Sequence, residues 1–128
     1  MKILGVGVDI VKNNRFETLA RKENFIFRTF GKNEINFSKR KKMKKVFFAK
    51  RFAAKESFSK SLGTGIRDNL NFKDIEILND KLGKPYFRKT KKISNLIYKK
   101  FKVKKYDLFL SISDEKDYSI AFTIIQKQ

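Results

Sequence analysis

The chain has 128 residues, with 32 lysines and arginines against 13 aspartates and glutamates and a formal net charge of +19. That length suits one domain, residues 1–128, built on one core, and so large a charge predicts an anionic partner: nucleic acid, a membrane surface, a phosphorylated small molecule or an acidic protein. The absence of cysteine and histidine excludes disulfides, thiolate zinc sites and imidazole chemistry, so acid, base or metal chemistry falls to Asp, Glu, Lys or water.

The start of the chain, Met1-Lys2-Ile3-Leu4-Gly5, lacks the apolar region of a signal peptide, and no apolar run of about 18 residues follows anywhere. A soluble cytoplasmic protein with no membrane insertion is expected. Residues 3 to 11 have the β-branched character of a strand, and period two puts Leu4, Val6, Val8 and Ile10 on one face, read as the core face. The other face carries Ile3, Gly5, Gly7 and Asp9, so a carboxylate sits beside two positions with no side chain, where another group can approach closely. Asn13 or Asn14 caps a predicted helix running to about residue 29, with Phe16, Leu19 and Phe27 inward and Arg15, Arg21, Lys22 and Arg28 outward. The charge run from Lys39 to Lys45 reads equally as a solvated helix start or as a ligand contact.

The longest helical signal covers residues 44 to 62, with Phe47, Ala54, Phe58 and Leu62 on one apolar face and Gly63 as the stop. Ala49, Ala53, Glu56 and Lys60 cluster on another side, Glu56 and Lys60 one turn apart. After a glycine-bearing turn, Leu62-Gly63-Thr64-Gly65, a strand is predicted over residues 72 to 78, a turn over 79 to 85 and a short helix over 91 to 101. The end of the chain alternates, with Leu108, Leu110 and Ile112 on one run and Tyr118, Ile120, Phe122 and Ile124 on the next, which predicts a hairpin turning across Asp114-Glu115-Lys116-Asp117. Periodicity alone gives an α+β domain.

Asp9 and Glu56 stand out because each sits on a regular element beside residues too small to fill the surrounding space. Oxygen-only ligands in such a chain point to magnesium, which commonly takes one or two carboxylates and completes its shell with water and substrate phosphate. The competing reading makes Asp9 a turn cap and Glu56 a surface partner of Lys60.

Several blocks, in order, carry a family resemblance. Gly5-Val6-Gly7-Val8-Asp9-Ile10-Val11 resembles the opening block of the holo-acyl-carrier-protein synthases, short members of the 4'-phosphopantetheinyl transferases. Arg51-Phe52-Ala53-Ala54-Lys55-Glu56-Ser57-Phe58-Ser59-Lys60-Ser61-Leu62-Gly63-Thr64-Gly65-Ile66 is similar to their most diagnostic block. Asp74-Ile75-Glu76-Ile77, Asn79-Asp80, Gly83-Lys84-Pro85 and Leu110-Ser111-Ile112-Ser113 resemble the later ones. The resemblance implies transfer of 4'-phosphopantetheine from coenzyme A to a serine of an acyl carrier protein, in support of fatty acid biosynthesis. It implies magnesium on Asp9 and Glu56, assistance to the transferring phosphate by Lys60, and coenzyme A contacts at Lys44, Arg51, Lys60, Gly83, Lys84 and Pro85. It further implies that Arg15, Arg21 and Arg28, with Phe25 between them, grip the acidic carrier. The fold it implies is a small antiparallel sheet packed with a long central helix, assembling as a homotrimer with sites between subunits.

One position departs from the family pattern. Where a histidine usually follows Ser111-Ile112-Ser113, this chain has Asp114. The base that takes the serine proton is then Asp114 itself, Glu56, or a metal-polarised water, with Glu56 or the water preferred; Asp114 also reads as a simple turn former. A basic nucleic-acid-binding module and a family member of altered activity are the rival readings, the first resting on charge and abundant phenylalanine.

Overall fold

The computed structural model describes residues 2–63 and 70–128. Thr64, Gly65 and Ile66, read above as part of a turn and of the central block, lie outside the described residues, as does Met1. The first strand, β1 (Lys2–Lys12), leads through a single 3-10 turn (Asn13–Arg15) into short helices α1 (Phe16–Leu19), α2 (Glu23–Thr29) and α3 (Lys32–Ser38), then the long helix α4 (Lys44–Leu62). A small hairpin, β2 (Ile77–Asn79) and β3 (Pro85–Phe87), precedes α5 (Lys91–Phe101), and strands β4 (Tyr106–Asp114) and β5 (Tyr118–Lys127) close the chain. The main sheet is antiparallel in the order β1-β5-β4, with β2 and β3 pairing separately.

Helix α4 spans the predicted residues, and Gly63 ends it in the left-handed conformation at φ 78° that an L side chain resists. Phe47, Ala54, Phe58 and Leu62 are buried as expected, but so are Ala49, Ala53, Ser57 and Ser61, because α4 is covered on several sides. The predicted helix over 91 to 101 and the hairpin across residues 114 to 117 also form. Phe16, Phe30, Phe47, Phe48, Phe58 and Phe87 are buried in the core, which accounts for much of the phenylalanine that the nucleic-acid reading drew on.

The first strand is the opposite way round from the periodicity reading. Gly7 and Val11 are buried, whereas Val6, Val8 and Ile10 are exposed, Ile10 by 61%. The inner face belongs to the glycines because α4 lies directly on it. A Cβ on Gly7 would sit 1.9 Å from the Ser57 carbonyl oxygen, and one on Gly5 would sit 1.9 Å from that of Ser61. The pairing shifts between Ile3 and Gly5, a bulge at Leu4 that resets which residues face the helix. Strand β5 follows the same rule, with Ser119, Ala121, Thr123 and Ile125 inward and Tyr118, Ile120 and Phe122 outward. Apolar alternation here marks the face turned away from the helix, so hydrophobicity alone misassigned the core side.

Two other expectations give way. The helix predicted from residue 13 or 14 to 29 is broken into the 3-10 turn, α1 and α2, and Phe27 points outward at 58% exposure. Neither Asn13 nor Asn14 is its cap. The Asn13 amide is buried and donates to the carbonyls of Glu115 and Lys116, while its oxygen accepts from Ser119, so Asn13 ties the end of β1 to the β4–β5 turn. The strand predicted over 72 to 78 shrinks to its last residues, because Phe72–Asp74 forms a 3-10 turn held by Lys55, whose ammonium donates to the carbonyls of Phe72 and Ile75.

Candidate active site

The two glycines place Asp9. With Gly5 and Gly7 letting β1 rest on α4, Asp9, two positions on, faces the same helix and meets its last turns. The Lys60 ammonium donates to Asp9 Oδ1 at 3.0 Å. Glu56, one turn earlier, is half-buried; burial and then the nearby Asp9 charge push its carboxyl above the usual range, against the opposing pull of Lys60 and Arg15. The sequence reading that paired Glu56 with Lys60 alone is thus replaced by a three-residue group in which Lys60 reaches across to the strand.

Two crowded carboxylates beside a solvent-reachable ammonium suit a hard cation and a phosphate. Among the described residues no group of three or more acidic side chains that could hold a metal gathers; Asp9 and Glu56 are two carboxylates that could hold one, with water and substrate oxygens completing the shell that magnesium favours. A cation there would also offset the Asp9 charge, which is the second cause, after burial, of the raised Glu56 carboxyl.

A second feature lies farther along α4. Arg51 is buried, donates to the Asn79 side-chain oxygen, and stacks over the Phe47 ring at 4.7 Å. Its Nε lies 3.7 Å from Glu34 and has no hydrogen-bond partner. Behind it, Glu34 and Lys55 form a fully buried pair at 2.6 Å that fixes α3 against α4. Arg51, Asn79 and Gly83 open onto a cavity of about 300 Å³ shared with Phe37, Phe47 and Lys50. Of the coenzyme A contacts implied by resemblance, the structure brings Arg51 and Gly83 together here. Lys84 is exposed, with its amide donating to Asp80, and Pro85 begins β3. Lys44 is exposed at the first residue of α4 and lines a different groove, with Phe16, Arg21 and Met43. Phe37, Lys50 and Asn79 were not singled out from sequence; only Asn79, inside a block shared with the family, carried a signal.

Arg15, Arg21 and Arg28 are exposed, as expected. Arg15 lies over the Phe52 ring at 5.7 Å and close enough to Glu56 to lower its pKa, so this basic surface adjoins the carboxylate pair. Arg21 pairs with Glu17 at 3.3 Å and Arg28 donates to the Asn24 carbonyl. Phe25 leans on Phe16, Phe30 and Phe52, and Phe27 is the more exposed ring. Asp114, at the end of β4, faces Lys50 at 3.7 Å rather than Lys60 or Glu56 of the same chain.

Residues 5–123 match the family model of the 4'-phosphopantetheinyl transferase superfamily. The chain is 56% identical to a holo-[acyl-carrier-protein] synthase of Pelagibacter ubique (strain HTCC1062), with all of both chains covered. Among solved structures it resembles the holo-[acyl-carrier-protein] synthase of Neisseria meningitidis, at 35% identity and a TM-score of 0.87, over 98% of this chain and 99% of that one. It also resembles that of Bacillus anthracis str. Ames in complex with CoA (3',5'-ADP), at 33% identity and a TM-score of 0.81 over the whole of both chains. Agreement of sequence and fold along the full chain leaves one conclusion: this protein belongs to the 4'-phosphopantetheinyl transferase superfamily, with the holo-[acyl-carrier-protein] synthases as its relatives.

Proposed function

We propose that the chain is a holo-acyl-carrier-protein synthase whose reaction centre is Asp9, Glu56 and Lys60. The observation that carries this assignment is the meeting of the three side chains where β1 crosses α4, with Lys60 bound to Asp9 at 3.0 Å and the Glu56 carboxyl raised by burial and by Asp9. The carrier serine hydroxyl attacks the β-phosphate of coenzyme A, a new P–O bond forms, and adenosine 3',5'-bisphosphate leaves with the electrons of the broken diphosphate bond. Asp9 and Glu56 would hold magnesium, which when bound neutralises charge on the diphosphate. Lys60, 54% exposed at its side chain, is free to place its ammonium against the same oxygens. Glu56, directly or through one water, takes the serine proton.

The surroundings support the partners. Arg51 and Gly83, with Lys44, Lys84 and Pro85 nearby in sequence or space, bind coenzyme A. Arg15, Arg21, Phe25 and Arg28 receive the acidic carrier protein, and the net charge of +19 speeds its approach in a way that added salt weakens. The outward face of the main sheet, with Val6, Val8, Ile10, Phe109, Ile120 and Phe122 exposed, supports assembly, because so much contiguous apolar surface is rare on a monomer. We assign it to a homotrimer with sites between subunits, each subunit one domain, working in the cytoplasm in fatty acid biosynthesis. No helix among the described residues is long and apolar enough to cross a membrane.

The test is an apo carrier protein incubated with coenzyme A and the wild-type chain. One phosphopantetheine of added mass is expected, abolished by a chelator and restored by magnesium. No mass gain with magnesium present contradicts the assignment.

A further inference from the structure

We propose that the lysine-rich face formed by the end of α5 and the loop into β4 docks this protein on an anionic lipid surface, by charge and without insertion. The inference goes beyond the transferase reading and stands apart from it. From Lys81 to Lys105 the chain carries eleven lysines and arginines and no aspartate or glutamate. In the first part of this stretch the cations have partners: Arg88 pairs with Glu76, Lys92 with Asp74, and Lys89 approaches Asp107. In the last part, Lys99, Lys100, Lys102, Lys104 and Lys105 are all exposed, and none has a carboxylate partner among the described residues.

The fold fixes which side of α5 is offered. Ile93 and Ile97 are fully buried, so the apolar side of the helix is already used in the core and the lysines stand outward. The Lys100 ammonium comes within 4.0 Å of where a Gly63 side chain would begin, which sets the face past the end of α4, about 10 Å along the axis from Glu56. Lys102 ends α5 in the left-handed conformation at φ 59°, a position that favours glycine, so a lysine there adds a cation at the expense of backbone ease. Its ammonium and that of Lys104 lie 5.7 and 5.8 Å from the centre of the Tyr98 ring, which is 45% exposed.

A cluster of about four to eight cations on a helix is what an anionic leaflet binds, each lysine near the surface strengthening adsorption about fivefold. A tyrosine among them suits the headgroup layer. A folded acidic protein matches less well, because protein interfaces favour arginine over lysine. The arginines of the proposed carrier surface, Arg15, Arg21 and Arg28, have no counterpart among these five lysines. A nucleic acid also matches less well: a base would have to displace two ammonium groups to stack on Tyr98, and no arginine stands among the five to read a base edge. With Ile93 and Ile97 held in the core, adsorption is electrostatic, and salt reverses it.

The test is co-sedimentation of the full chain, at low salt, with vesicles of phosphatidylcholine alone or with about one third phosphatidylglycerol. Wild type is compared with Lys99→Gln/Lys102→Gln/Lys104→Gln and with a charge-matched triple variant elsewhere, Lys39→Gln/Lys41→Gln/Lys42→Gln. Wild type should sediment with the phosphatidylglycerol vesicles and not with phosphatidylcholine alone. The first triple variant should lower the partition coefficient about a hundredfold and the second less than about fivefold. Circular dichroism and transfer to a soluble carrier protein should stay at wild-type values in the first triple variant. Absence of wild type from the phosphatidylglycerol pellet overturns the inference, and so does an equal loss in both triple variants, which reduces the effect to net charge. An oligonucleotide whose binding the first triple variant weakens more than it weakens vesicle binding assigns the face to nucleic acid and overturns it. A raised KM for the carrier protein in that variant assigns the face to a protein partner and equally overturns it. A wild type that transfers nothing contradicts the transferase reading, and the vesicle measurements still decide the role of the lysine face.

Discussion

The two faces of the main sheet are built from opposite kinds of residue. Toward α4 the strands present Gly5, Gly7, Asp9, Ser119, Ala121 and Thr123; away from it they present Val6, Val8, Ile10, Ile120 and Phe122. In a sheet covered on one side, the larger apolar residues usually face the covering layer. Here the small residues do, and the reason is distance. The α4 backbone lies so close to β1 that a methyl group on Gly7 would overlap the Ser57 carbonyl. That contact sets Asp9 beside Glu56 and Lys60. The inner face is thus arranged for the site, and the outer face keeps the hydrophobic surface that in the proposed assembly meets another subunit.

The largest expected effect comes from giving the inner face a side chain. Gly7→Ala places Cβ 1.9 Å from the Ser57 oxygen and 2.6 Å from the Ser61 nitrogen, both backbone atoms within a helix. Forcing strand and helix apart should cost about 3 kcal/mol or more, a large share of an ordinary domain's stability. Urea unfolding would show the midpoint falling steeply. A midpoint near wild type would mean that the approach is looser than the structure has it.

The outer face should respond differently. Val8→Asp combined with Phe122→Asp leaves the helix contact intact, so far-UV circular dichroism should keep its native form. In an assembly, each buried unpaired carboxylate costs about 3 kcal/mol or more, so light scattering should report monomers and transfer should fall with the loss of shared sites. A double variant that scatters as an assembly of the wild-type size would move the proposed interface elsewhere.

A smaller effect separates hydrogen bonding from shape on the inner face. The Ser57 hydroxyl lies 2.6 Å from that of Thr123, both buried, which joins α4 to β5. Ser57→Ala leaves the Thr123 hydroxyl without this partner and should cost about 1 kcal/mol, read as a modest shift in urea midpoint. No shift would mean that close packing alone holds the two elements.

The smallest is a stability gain. The Glu56 carboxyl is raised by burial first and by Asp9 second, so the folded state favours the protonated form. The stability this contributes is full below the unfolded pKa and is lost as pH rises through the folded one. At pH 8 the wild type carries a crowded, ionised carboxylate, and Glu56→Gln should raise Tm by about 2 °C, a figure kept low because the group is half-exposed. At pH 4 the difference should vanish. A lower Tm at pH 8 would indicate that the carboxylate is stabilised by contacts other than those described.

The sequence shows the site better than it shows the sheet. Glu56 and Lys60 share a long helix with an unambiguous glycine stop, and Asp9 follows two glycines whose missing side chains announce a close approach, so local pattern marks these residues as candidates, and the family blocks choose between the site and a plain surface pair. Which face of β1 that approach uses is not, because apolar alternation has the same period on either side and says nothing about what covers it. The break in the predicted helix after Leu19 escapes for a related reason. Asn13 is spent on the distant Glu115–Lys116 turn, a contact across the whole chain that no window of neighbours contains. Lys55 likewise looks like a surface lysine within a conventional helix, and only the fold reveals it holding Glu34 and two carbonyls in the core.

The most direct test of the reaction centre is the initial rate of mass gain on an apo carrier protein with coenzyme A and magnesium, comparing wild type with Glu56→Gln after thermal melts have shown the variant folded. A loss of at least about a hundredfold in rate is predicted, as expected when the proposed proton acceptor and metal ligand is removed. Transfer by folded Glu56→Gln at the wild-type rate would contradict the assignment of Asp9, Glu56 and Lys60 as the reaction centre.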